Sequence, residues 1–173
     1  MKHDSYSDAY IRDILVNHRA IAMVGASPNP SRPSYFAMKY LLAKGFHVLP
    51  VNPGQAGNTL LGQRVYGSLG DIEEPLEIVD IFRSSEAALD VTREAIARGA
   101  KVVWMQLGVR NDEAARLAEE AGLKVVMNRC PKIEYGRLSG ELAWAGVNSR
   151  MLSSRRPLLG TKGGQQRAIR PSG

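Results

Sequence analysis

One cysteine, Cys130, stands in a chain of 173 residues. That scarcity excludes an intrachain disulfide and any multi-cysteine metal site, and it points to a cytoplasmic setting. Histidine is as scarce: His3, His18 and His47 share no metal-ligand spacing, and each is expected in a structural or solvated role. No apolar run approaches the length of a membrane span, and the polar, acidic start MKHDSYSDAY has no signal-type apolar core, so a soluble protein without membrane contact is expected. Acids are absent from the end of the chain. From Ser149 to Gly173 there are six cations and no carboxylate, and the other 17 Lys and Arg balance the 17 Asp and Glu. The net charge of +6 therefore belongs to the tail. A neutral body argues against a nucleic-acid surface, which needs a concentrated basic face. The tail is rich in Ser, Gly, Gln and Arg, a composition that buries too little apolar surface to order itself. Weak contact with nucleic acid or an acidic partner is the alternative use for it.

What is present is alternation. Ile11, Ile14, Leu15 and His18 fall at helical spacing behind Ser7 and Asp8, and predict a first helix. Short apolar strands follow at Ala20–Val24, Phe46–Val51, Ile78–Phe82, Val102–Met105 and Leu123–Met127. Between them lie helical patterns at Ser34–Lys44, Ser85–Arg98 and Asn111–Ala121, the first closed by Gly45, the second by Gly99 and the third by Gly122. The glycine-rich stretch from Asn52 to Pro75 supports only a short strand at Val65 and a short helix at Ser68–Ile72. After Cys130 the pattern fades through a short helix at Gly140–Ala145. Strands that are apolar on both faces and separated by helices imply a parallel sheet covered on both sides. The expected fold is α/β: a single Rossmann-type, doubly wound, five-stranded parallel sheet. The domain is expected over residues 1–148, with a core at about 8–138, and a basic tail over 149–173.

In such sheets ligands bind beyond the carboxyl ends of the strands, where the chain order reverses. The residues placed there form the candidate site. Gly25 permits a tight turn, small Ala26 lets backbone approach an anion, and Ser27 adds a hydroxyl before the helix that restarts near Ser34. An ordinary strand-to-helix turn is the plain alternative. Arg32 and Arg83 are candidates for bidentate contacts to phosphate, with a solvated loop role as the alternative for Arg32. A standard NAD site would require G-x-G-x-x-G and an acid about 20 residues on. Here the later loop positions are Ser27 and Pro30, and no Asp or Glu occurs between Gly45 and Asp71.

Five segments in order carry a resemblance: VGASPNPSRPSY, LLAKGFHVLPVNPG, GQRVYGSLGDI, VDIFRSSEAA and WMQLGVRNDEAARLAEEAGLKVVMNRCP. Together, across about Asp8 to Leu138, the chain resembles the stand-alone CoA-binding domain proteins, which are similar to the N-terminal CoA-binding domain of the succinyl-CoA synthetase alpha subunit. The resemblance implies coenzyme A, or an acyl-CoA, as ligand. It would place Gly25, Ala26 and Ser27 on the CoA phosphates, Asn52 and Pro53 by the adenosine, and Ile81, Phe82 and Arg83 beside the nucleotide. Gln106, Gly108 and Cys130 would lie toward the pantetheine arm. The synthetase passes a phosphoryl group through a histidine in a second domain, and this chain has no counterpart. No Ser-His-Asp order is visible either, and Asp80 reads as a hydrogen-bonded polar residue of its strand. The expectation is a binding protein without catalysis of its own. Its rivals are an NAD(P)-dependent oxidoreductase and a regulatory module partnering an acyl-CoA enzyme.

Overall fold

The computed structural model describes residues 1–144. The basic tail, and Ala145 at the end of the last expected helix, lie outside the described residues. Helix α1 (Asp8–Asn17) is capped by the Ser7 hydroxyl, which accepts the Tyr10 N–H, and it buries Ile11, Ile14 and Leu15. The chain then runs through β1 (Ala20–Val24), α2 (Pro33–Ala43) and β2 (His47–Val51). A short antiparallel pair, β3 (Thr59–Leu60) and β4 (Gln63–Arg64), interrupts the alternation. It resumes with β5 (Ile78–Ile81), α3 (Ala87–Ala97), β6 (Val102–Met105), α4 (Asp112–Glu120), β7 (Lys124–Val126) and α5 (Pro131–Trp144). The main sheet has the order β2-β1-β5-β6-β7, and every neighbouring pair in it is parallel. The doubly wound α/β expectation is met.

Strand alternation divides the core in two. Ile21, Met23, Ile78 and Trp104 point to one face, where they meet Ile14 and Leu15 of α1, Met38 and Leu41 of α2, and Tyr135 and Leu138 of α5. Ala22, Val79, Ile81, Val103 and Met105 point to the other, against Ala88 and Ala95 of α3 and Ala114, Ala115 and Ala118 of α4. Each large aliphatic side chain so buried contributes about 1.5–3 kcal/mol.

Both margins of the sheet are closed by residues outside it. At the β2 edge, the carbonyl of Pro50 accepts the Tyr66 N–H at 2.9 Å and the Asn52 N–H donates to the Tyr66 carbonyl at 2.8 Å. At the β7 edge, the Tyr10 hydroxyl accepts the Val125 N–H at 3.1 Å and donates to the Val125 carbonyl at 3.0 Å. The Tyr6 hydroxyl accepts the Met127 N–H at 2.7 Å. Burial holds both phenols above the usual tyrosine range, so they keep their protons.

Three local expectations change. The strand expected at Val65 is instead the small β3–β4 hairpin, and Tyr66 joins the main sheet through a parallel bridge to Val51. The helix expected at Ser68–Ile72 is a single 3-10 turn, Leu69–Asp71. The last helix begins nine residues before Gly140, at Pro131, where a proline suits the first helical position.

Candidate functional site

The order of the sheet reverses around β1, since β2 lies on one side of it and β5 on the other. The loop after β1 leads to α2 on one face, and the loop after β5 leads to α3 on the opposite face. A crevice opens where the two part. At its base they touch. The Phe82 N–H donates to the Val24 carbonyl at 2.8 Å, and Gly25 has φ +91, with its missing Cβ directed 2.2 Å from the Phe82 carbonyl oxygen. Any side chain at position 25 would meet backbone, so glycine is required both by conformation and by space.

The loop after β1 does not present a row of free amides to an anion. The Gly25 and Ala26 N–H groups both donate to the Val51 carbonyl, at 3.0 and 3.3 Å. The Ser27 N–H donates to the Ser34 hydroxyl at 3.1 Å, and the Asn29 N–H to the Ser27 hydroxyl at 3.2 Å. Pro28, Pro30 and Pro33 have no N–H to offer. Ala26 and Ser34 are buried, and their side chains shape the loop from beneath. Asn52 braces it from β2: its Nδ2 donates to the Ala26 carbonyl at 2.8 Å while its Oδ1 accepts the Gly54 N–H at 2.9 Å. Pro53 stands exposed at the first position of a 3-10 turn. The positive charge at the crevice comes from Arg32, at the N-terminal boundary of α2, and from Arg83, whose Cδ lies 3.1 Å from the place a Gly25 Cβ would occupy. Both are exposed. Neither makes an ion pair with the described residues, so both guanidinium groups are open to an anion.

Beside Arg83 the crevice deepens into a cavity of about 510 Å³. Phe82, Arg83, Gln106 and Cys130 meet there, as their positions after β5, β6 and β7 require. Pro33, Phe36 and Ala37 of α2 form one wall, Lys132 and Ile133 of α5 another, and Leu107 and Val109 the rim after β6. Gly108 does not line it. With φ +80 and a Val109 N–H donating to the Gln106 carbonyl at 2.8 Å, Gly108 completes the turn that carries Leu107 and Val109 to the cavity. Ile81 is displaced from the site: it is fully buried on the α3–α4 face, and its side chain points away from the crevice. Sequence reasoning missed Phe36, Ile133 and Lys132, whereas Leu107 lies directly after a strand, where the site was expected. Phe36 carried a signal, being a large apolar residue off the inner stripe of Ala37, Tyr40 and Leu41.

Asp80 lies under this floor on the same face as Phe82, between Met23 and Trp104 in the sheet register. It is fully buried, and neither carboxyl oxygen has a hydrogen-bond partner. The expected hydrogen bond is absent. Desolvation alone pushes its pKa well above the usual carboxylate range, so the group is carried as a neutral acid. The histidines lie elsewhere: His3 beside Tyr6 at 2.9 Å, His18 at the end of α1, and His47 beside Glu74 at 2.9 Å. Among the described residues no group of three His, Cys, Asp or Glu could hold a metal ion, and no helix is long and apolar enough to cross a membrane.

A sequence profile described as a CoA binding domain matches residues 19–136, a span that contains every wall of this crevice. The chain belongs to the CoA-binding domain family. An uncharacterized protein of Bacillus subtilis, YneT, is 36% identical over 129 residues, covering 75% of this chain and 94% of that one. A solved structure of a hypothetical protein from Pyrococcus horikoshii is 43% identical, with a TM-score of 0.75, covering 81% of this chain and 97% of the other. The family fold also recurs inside a larger enzyme. The dinucleotide forming acetyl-coenzyme A synthetase 1 of Ca. Korarchaeum cryptofilum, solved with phosphate and ADP, matches 67% of this chain and 27% of its own at 26% identity and TM-score 0.58. This CoA-binding domain protein therefore corresponds to about a quarter of that synthetase.

Proposed function

We propose that this chain binds coenzyme A, or an acyl-CoA, in the crevice between the loops after β1 and β5, and that it catalyses no reaction alone. The observation that carries the reading is the continuity of the site. Two unpaired guanidinium groups, Arg32 and Arg83, mark one end, and the 510 Å³ cavity holding Gln106 and Cys130 begins at Arg83 itself. A ligand with an anionic head and a long, mostly apolar arm matches that sequence of surfaces. The loop has too few free amides to serve a pyrophosphate through backbone alone, so recognition of phosphate falls to the arginines. The acid that would hold the ribose of NAD is missing between Gly45 and Asp71.

The absence of catalysis rests on the lining. The ionisable groups at the cavity are Arg83, Cys130 and Lys132; no carboxylate or imidazole reaches it among the described residues, so it has no obvious general base. Such a lining suits a carrier or sensor that delivers its ligand to a separate enzyme.

Calorimetry with CoA, dephospho-CoA, NAD and NADP tests the reading. CoA is expected to bind, dephospho-CoA more weakly, and NAD not at all. Binding of NAD or NADP in preference to CoA would overturn it.

A further inference from the structure

Among the described residues, three large apolar side chains besides Met1 are conspicuously exposed: Phe36 at 51%, Leu107 at 54% and Ile133 at 53%. Singly, such exposure is ordinary on a protein surface. These three come from α2, from the turn after β6 and from α5, yet all line the one cavity. The helices and the turn thus bring apolar surface from three directions to the same opening, and water is the least favourable thing to put against it.

The cavity floor adds a polar clue. Gln106 is 7% exposed, its Nε2 lies 3.3 Å from the Cys130 sulfur, and its Oε1 has no partner. Turning the amide over would only exchange which atom is left unpaired. A buried amide with one empty side is completed by a polar group arriving with a ligand. The amide N–H groups of a pantetheine arm are donors of the kind that Gln106 Oε1 lacks. No carboxylate lines the cavity, which leaves a cationic acyl group unpaired. A free carboxylate on the acyl group would find Lys132 alone among the three side walls, and Phe36, Leu107 and Ile133 would desolvate it.

We propose that the preferred ligand is a CoA thioester of a hydrocarbon acid, with its acyl chain lying along Phe36, Leu107 and Ile133. The assignment rests on the coenzyme reading above and extends it by naming the acyl class. The arm enters past Arg83, its polar groups meet Gln106, and the chain continues outward over the apolar rim. Continuity with the phosphate end favours this occupant over a second copy of the protein, which would have no use for the buried amide.

The test is calorimetry of the full chain with CoA, succinyl-CoA and octanoyl-CoA, with light scattering on the same samples. Each methylene taken out of water is worth about fourfold in affinity, so octanoyl-CoA is expected to bind at least tenfold more tightly than CoA and more tightly than succinyl-CoA. The single variants Phe36→Ser and Ile133→Ser change exposed positions and are expected to reduce the octanoyl-to-CoA ratio to threefold or less. Equal binding of CoA and octanoyl-CoA overturns the acyl assignment and leaves the coenzyme reading standing. Succinyl-CoA binding more tightly than octanoyl-CoA, or a preference that neither variant alters, overturns it too. So does a ligand-free dimer that octanoyl-CoA fails to dissociate. Failure of all three thioester and thiol ligands to bind removes the coenzyme reading itself.

Discussion

The two faces of the sheet are built to different standards. Against α3 and α4 the strands meet small residues, Ala88, Ala95, Ala114, Ala115 and Ala118, and the helices sit close over an apolar floor. On the side of α1, α2 and α5 the strands' own Met23 and Trp104 meet larger groups, including Met38, Leu41 and Tyr135, and this face also holds a buried acid and gives way to a cavity at the carboxyl edge. One face is devoted to holding the sheet together. The other shares that task with a site, and its imperfections, an unpaired carboxyl and an orphaned amide, lie beneath or beside the cavity.

The last residue of β5 and the residue that follows it offer the sharpest way to break this contrast. Ile81→Ala removes a fully buried side chain from the closed face and is expected to lower stability by about 2–5 kcal/mol without altering CoA affinity, as urea unfolding and calorimetry would show. Phe82→Ala, one residue on, is half-buried at the cavity and is expected to act the other way, chiefly on affinity. Equal effects of the two on both measurements would remove the division of labour. Next in size is Arg83→Ala, expected to weaken CoA by about 1.5–3 kcal/mol, the range for a hydrogen bond to a charged group, with little change in melting temperature.

The buried acid predicts a pH dependence confined to the open face. Below the ordinary carboxylate pKa of 3.8, folded and unfolded chains both hold the Asp80 proton. Above it the unfolded chain releases the proton and the folded chain retains it, so stability from this group falls as pH rises, by at most about 1.4 kcal/mol per pH unit, until the folded pKa is passed. Asp80→Asn should abolish that slope in urea titrations run across pH 4 to 8; an unchanged slope would acquit Asp80. Smallest is Asn52→Ala, which removes the brace on the Ala26 carbonyl and is expected to lower stability by about 1 kcal/mol, measurable as a shift of the urea midpoint.

Much of this arrangement was legible in the chain. The five parallel strands and the helices between them were, because strands buried on both faces read as uninterrupted apolar runs and because Gly45, Gly99 and Gly122 mark the helix ends. Phe82, Arg83, Gln106 and Cys130 were legible as neighbours at one cavity, since position at the end of a strand is enough to bring them together. Ile81 was misplaced beside Phe82, although alternation within β5 sends Ile81 to the face opposite Asp80. Helix α5 was underestimated because Gly136, Ser139 and Gly140 dilute its apolar stripe, and its stability comes from docking on α1 and α2. The donors of the loop after β1 were unreadable because they depend on which carbonyls fold back to meet them, and Val51 is remote in sequence.

An open parallel sheet ends in two strands whose outer backbone is an invitation to any other extended chain. Here neither margin is left bare, for Tyr66 and Pro50 occupy one and the hydroxyls of Tyr6 and Tyr10 the other. A stray strand in a crowded cell finds little ladder to extend on either side. The first ten residues, which touch nothing in the crevice, thus guard the molecule against edge-to-edge aggregation.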